Sequence, residues 1–203
     1  MAAFKLRRFD MSFRTAYAQA KELARAQDGI ALLTAGSILV QERNGSRFAY
    51  RYRYDGAGKR IAEYLGPEGA AETTEKIEEA EAEICDSRLL SDYSRDLRKV
   101  GFYSADNSAL VTVASLANAS LFGKGAVLVG THAFGVILND LGVTTSFTMT
   151  EDVDLARAAS IEIAALPKGG FLNLLKETGL PFHEIPQLDP RKPSTSYKVR
   201  GKK

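Results

Sequence analysis

The chain has one cysteine, two histidines and no tryptophan among 203 residues, and each shortage removes a class of chemistry. Cys85 stands alone, so no intramolecular disulfide can form, and its acidic neighbours disfavour a reactive thiolate. His183 lacks a cysteine or histidine partner at zinc-like spacing and reads as structural. No apolar stretch approaches the roughly 20 residues of a membrane-spanning helix. Charge interrupts the opening residues before a signal-peptide core can form, so a cytoplasmic protein without membrane attachment is expected. No internal repeat or low-complexity tract is evident.

What is present is unevenly distributed charge. The formal net charge is only +2. Residues 1–60 nevertheless carry 12 Lys/Arg against 5 Asp/Glu, and residues 61–100 carry 5 against 11. Residues 101–189 are again acidic, and residues 190–203 hold six basic residues and no acidic one. Basic flanks around an acidic middle fit a phosphate-bearing partner beside a cation site, or charge complementarity within the fold or between subunits.

Periodicity divides the chain at a soft boundary near residues 100–108. Residues 1–28 read as a helix, with Phe13, Tyr17, Ala20, Leu23 and Ala24 at helical spacing. Arg47 to Tyr54 alternates strictly, with Phe48, Tyr50, Tyr52 and Tyr54 on one face and Arg47, Arg51 and Arg53 on the other. Lys59 to Leu65 returns as its partner strand, giving a basic aromatic hairpin. The aromatic face is expected to be buried, leaving a nucleic-acid role open to Arg47, Arg51, Arg53, Lys59 and Arg60. Residues 70–99 form a long acidic helix and residues 109–122 another helix. The domains expected are thus 1–105, helices plus hairpin, and 106–203, a second core.

That second core carries the chemistry. Ala126 to Val129 is a fully apolar run suited to a buried strand, and Gly130-Thr131 turns it into an amphipathic helix over residues 131–141. Gly130 permits close backbone approach, while the open N–H groups of the helix start can hold phosphate. Asp152-Val153-Asp154 follows on extended chain. Carboxylates two residues apart on a strand project from one face and can share a hard cation such as Mg2+. His132 and Arg157 lie close enough in sequence to reach phosphate, although ordinary packing and an ion pair explain them as well. Residues 168–178 read as a helix, 182–185 as extended chain and 194–200 as a last strand.

At Gly130-Thr131 and Thr150-Glu151-Asp152-Val153-Asp154-Leu155 the chain resembles the nucleotidyltransferase superfamily with the DNA polymerase beta-like fold. More narrowly, it looks like a bacterial branch of nucleotidyltransferase-like proteins distantly related to AbiE-type abortive-infection toxins. The hairpin, the Leu65-Gly66-Pro67 turn and the run from Ser194 to Gly201 carry that narrower likeness. The resemblance implies an α+β fold, a mixed sheet flanked by helices behind an N-terminal helical region carrying the hairpin. It implies transfer of a nucleoside monophosphate from NTP to an RNA or protein acceptor, with Asp152 and Asp154 as catalytic metal ligands for Mg2+. Gly130 and Thr131 would hold the triphosphate, with His132 and Arg157 as the further candidates for its binding, and an antitoxin would be a possible protein partner.

The sequence departs from that pattern in two places. Gly130 and Asp152 are far apart for a minimal nucleotidyltransferase, and no third carboxylate follows Ser196. A core truncated at its C-terminal end is expected, or else an inactive nucleotidyltransferase-fold module that binds nucleic acid or a protein partner.

Overall fold

The long acidic segment forms the spine of the N-terminal half in the computed structural model, which describes residues 5–27, 29–146, 152–157, 170–189, 191 and 194–200. In chain order, β1 (Arg7–Arg8) leads into α1 (Met11–Arg25), followed by β2 (Ser37–Arg43), β3 (Ser46–Tyr54), β4 (Arg60–Pro67) and α2 (Ala71–Lys99). The second half comprises α3 (Asn107–Asn118), a 3-10 turn (Phe122–Lys124), β5 (Ala126–Val129), α4 (Gly130–Leu141) and β6 (Val143–Thr144). It continues with β7 (Asp154–Arg157), α5 (Gly170–Lys176), β8 (Phe182–Ile185) and β9 (Ser196–Val199). The fold class is α+β, as expected. Among the described residues every strand pair is antiparallel, in four separate sheets rather than one mixed sheet.

The expected hairpin is the larger part of a three-stranded sheet ordered β2-β3-β4. Asn44 and Gly45, both at positive φ, close its first turn, a conformation these two residue types tolerate best. Both faces of this sheet are partly closed: Tyr52 on the aromatic face is buried at 8% exposed, as expected, but Tyr54 is 45% exposed and the arginine face is not left open to solvent. Helix α2 packs on the arginine side, where Arg51 is only 4% exposed and Ala49 is fully buried. Arg51 Nη1 donates to Glu83 of α2 at 2.6 Å and its Nε to the Ala35 carbonyl at 3.1 Å. Arg47 pairs with Glu68 at 2.9 Å, and Arg53 lies 4.0 Å from Glu63. Burial, followed by the neighbouring Arg51 charge, lowers the Arg53 guanidinium from its usual value.

The acidic surplus of residues 61–100 therefore answers the basic surplus of the strands from inside the fold. Arg47, Arg51 and Arg53 are counter-ions to glutamates, and Arg51 has no surface left for a phosphate. Because Glu83 is itself largely exposed, Glu83→Ala should cost less than breaking a fully buried pair, about 1–2 kcal/mol. A shift in the urea midpoint at unchanged slope measures it.

Two apolar clusters hold the remaining elements. Phe9, Leu97 and Phe102 join the end of α2 to Phe13 and Tyr17 of α1, with the Phe9 and Phe102 rings stacked at 3.9 Å. The expected helix over residues 1–28 is corrected at its start: Phe9 is drawn into this cluster, β1 pairs with β6, and α1 begins only at Met11. The second cluster packs Leu116 and Leu121 with Ala126, Leu174 and Leu175, and Phe182 and Tyr197 lie against it. It seats β5, α3, α5 and the β8–β9 hairpin around one centre. Asp106 starts α3 two residues earlier than its apolar spacing indicates, accepting from the Ser108 and Ala109 backbone N–H groups at 2.7 and 3.0 Å.

Candidate functional site

The short strand β5 positions the site because it ends where α4 begins. Val129 is still extended (φ -128°, ψ -175°), and Gly130 then takes φ +74° as the first residue of the helix. That left-handed value suits glycine, since a side chain there meets backbone repulsion. The antiparallel register Val129↔Asp154 sets the start of β7 beside the turn. A Cβ placed on Gly130 would fall 2.6 Å from Asp154 Oδ2. The two sequence motifs, distant along the chain, thus meet at one point.

Asp154 is exposed and forms no ion pair among the described residues. Asp152 is also exposed, but β7 starts only at Asp154, so Asp152 and Val153 lie ahead of the strand. Thr131 is half-buried in the first turn of α4. Arg157 pairs through its backbone with Ala126, at the far end of β5 from Gly130, and its side chain lies outside the described residues. It lies three residue steps along the strand from Asp154, about 10 Å of chain. The calls on Thr150, Glu151 and the end of the Ser194–Gly201 run also fall outside the described residues.

His132 faces inward at 3% exposed. Its Nδ1 meets the Tyr103 hydroxyl, and its Nε2 is buried without a hydrogen-bond partner among the described residues. Tyr103 was not singled out by its sequence context, yet it grips α4 along one face. Its backbone N–H donates to Asn139 Oδ1 at 2.8 Å, and its carbonyl accepts from Asn139 Nδ2 at 2.9 Å. Its ring occupies the space a Cβ on Gly135 would need, 2.4 Å from the nearest ring atom. His132, Gly135 and Asn139 are spaced by three and four residues, one helical face.

Burial and then the Asp106 charge raise the Tyr103 phenol above the ordinary range for tyrosine. A phenol whose pKa is raised on folding contributes stability that is complete below about pH 10 and declines as pH rises through its folded value. Alkaline denaturation should accordingly be shallower in Tyr103→Phe than in wild type across pH 9–11, about the span in which phenols titrate.

Sequence comparison speaks to this half of the chain. Residues 109–203 match the family model described as Nucleotidyltransferase. The match supports the nucleotidyltransferase superfamily and covers α3 from Ala109 onward, the Gly130 turn, both aspartates and the β8–β9 hairpin. No curated protein and no solved structure matches the chain. A nucleotidyltransferase domain points to nucleotidyl transfer with an NTP substrate, and such domains generally use divalent metal ions. Among the described residues no group of three or more His, Cys, Asp or Glu is placed to hold a metal ion. β9 pairs with β8 rather than with β5 or β7. No described helix is long and apolar enough to cross a membrane.

Proposed function

We propose that residues 106–203 form a magnesium-dependent nucleotidyltransferase core that moves a nucleoside monophosphate from NTP to an RNA acceptor, with residues 1–105 contributing acceptor contacts. The observation that carries this reading is the contact of Gly130 with Asp154 at the N-terminus of α4. Helix-start N–H groups and the positive end of the helix dipole attract phosphate. The Asp154 carboxylate beside them repels it. A phosphate and a carboxylate can occupy this corner together only with a cation between them.

The donor set suits that cation. Magnesium is commonly held by one or two carboxylates, with water and substrate phosphates completing its octahedron. Asp152 and Asp154 would supply the carboxylates, and a third protein ligand is not required for binding of one ion. Bound there, the ion would neutralise charge on the triphosphate and the departing pyrophosphate.

The chain's own groups do the positioning. Gly130, lacking a side chain, lets phosphate approach the backbone, and Thr131 places its hydroxyl in the first helical turn. His132, held by Tyr103, fixes the rotation of that turn from behind. The acceptor hydroxyl oxygen bonds to the α-phosphorus, the bond from α-phosphorus to the β-bridging oxygen breaks, pyrophosphate departs, and solvent takes the acceptor proton. Incubation with each α-labelled NTP, Mg2+ and bulk RNA should move label into RNA with release of pyrophosphate. Failure with all four nucleotides would remove the catalytic reading.

A further inference from the structure

The outer face of the β2-β3-β4 sheet carries an aromatic and cationic surface that α2 does not cover, exposed at Tyr54 and Tyr64 and half-buried at Tyr50, while Tyr52 is buried and its hydroxyl accepts from Gln41 Nε2 at 2.6 Å. Its rings are contiguous: Tyr50 and Tyr52 lie 6.2 Å apart between centroids, and Tyr50 and Tyr64 lie 5.4 Å apart. Tyr64 is 54% exposed and stands opposite Tyr50 in the strand register, on the face away from Arg51. Two arginines border the rings. The Arg60 guanidinium sits 3.8 Å from the Tyr52 centroid and the Arg43 guanidinium 5.1 Å from that of Tyr50.

Charge separates this face from its reverse. Each of Arg47, Arg51 and Arg53 on the α2 side faces a glutamate. Arg43 and Arg60 form no ion pair among the described residues. The strand register places Glu42 and Glu63 opposite Arg47 and Arg51, on the α2 side, so the strands contribute no carboxylate to the aromatic face. Stacked guanidinium groups hold their N–H donors above the rings; Arg43 Nη2 donates to Gln41 Oε1 at 3.2 Å, and an anionic partner would balance the charge of both arginines.

We infer that this face binds single-stranded RNA, with Tyr64 and Tyr50 stacking on unpaired bases and Arg43 and Arg60 contacting the phosphates between them. Unpaired bases present open π-faces that a duplex hides. The Tyr50 hydroxyl offers a partner to the ribose 2′-OH, which favours RNA over DNA. The inference deepens the RNA-acceptor reading and rests on it for the use of the bound strand; the binding itself does not need the chemistry at Asp154.

Fluorescence anisotropy of the full chain with a labelled unstructured 12-nucleotide RNA tests it. Tyr64→Ala should weaken binding about 10-fold, and Tyr64→Phe, which keeps the ring, should restore it. The Arg43→Gln, Arg60→Gln double variant should flatten the log–log salt slope by roughly 1.4, the value for two lost phosphate contacts on a single strand. Unchanged affinity in Tyr64→Ala, with native circular dichroism, would overturn the proposal, as would displacement of the 12-mer by blunt duplex RNA at equal concentration. Equal affinity for the matching DNA would overturn the choice of RNA. Self-association that buries Tyr64 would overturn it in favour of a second copy. Asp154→Asn separates the two readings, since RNA retention with transfer lost supports both. Transfer by the wild type without RNA held on the sheet overturns only the sheet assignment.

Discussion

Asp154→Asn is expected to reduce label transfer from NTP at least about 100-fold, the scale on which removal of one electrostatic stabiliser acts in a preorganised site. The substitution is nearly isosteric and removes only the negative charge. Asp154 is exposed and bears no ion pair among the described residues, so the fold should lose little. The charge does sit beside the N-terminus of α4, where it favours the helix dipole, and its removal should cost no more than about 1 kcal/mol. A loss of transfer much larger than the loss of stability is therefore the signature of a ligand rather than of a structural carboxylate. Transfer undiminished in the variant would remove Asp154 from the site.

Gly130→Ala should damage stability and transfer together. At φ +74° an alanine Cβ presses on its own backbone, a strain of roughly 1–2 kcal/mol. The same Cβ would stand 2.6 Å from Asp154 Oδ2, inside van der Waals contact, so the carboxylate or the turn must move. Displacement by about 1 Å at a reacting centre can cost about 100-fold in rate. Transfer should thus fall toward the level of Asp154→Asn while the thermal midpoint drops by several degrees, about 2–4 °C per kcal/mol for a chain of this size. If Gly130→Ala lowers the midpoint but leaves transfer intact, the turn is structural alone.

The strand, glycine turn and helix over residues 126–141 were legible because each signal was local: an unbroken apolar run, a turn residue, then a 3.6-residue period. The pairing of Arg47–Tyr54 with its return strand was legible for the same reason. The orientation of that sheet was not. Four aromatics on one face and three arginines on the other look like inside and outside, but the partner across the sheet is α2, whose Glu83 draws Arg51 inward. A glutamate 32 positions away in sequence holds the buried arginine, while Tyr52 is buried on the opposite face.

The Tyr103 clamp escaped notice for a related reason. Gly135 and Asn139 interrupt an apolar stripe and look like solvent-facing positions, yet together they make the groove that takes the tyrosine. β1, with only two residues, carries no periodicity at all, and its pairing with β6 depends on where Phe9 packs. The meeting of Gly130 with Asp154 depended on strand register, which spacing along the chain does not fix.

The Gly56 turn between β3 and β4 has a bearing on how such a chain can change over evolutionary time. Its backbone N–H donates to the Thr178 carbonyl at 3.1 Å, just after α5, and Asn107 Nδ2 donates back to the Gly56 carbonyl at 3.3 Å. A hairpin from the first half is thereby stitched to both α3 and the end of α5, while Tyr103 is stitched to α4. Joining residues 106–203 to a foreign N-terminal region would break these hydrogen bonds, each worth about 1 kcal/mol, so a replacement first half would have to offer its own partners to Asn107 and to the Thr178 carbonyl.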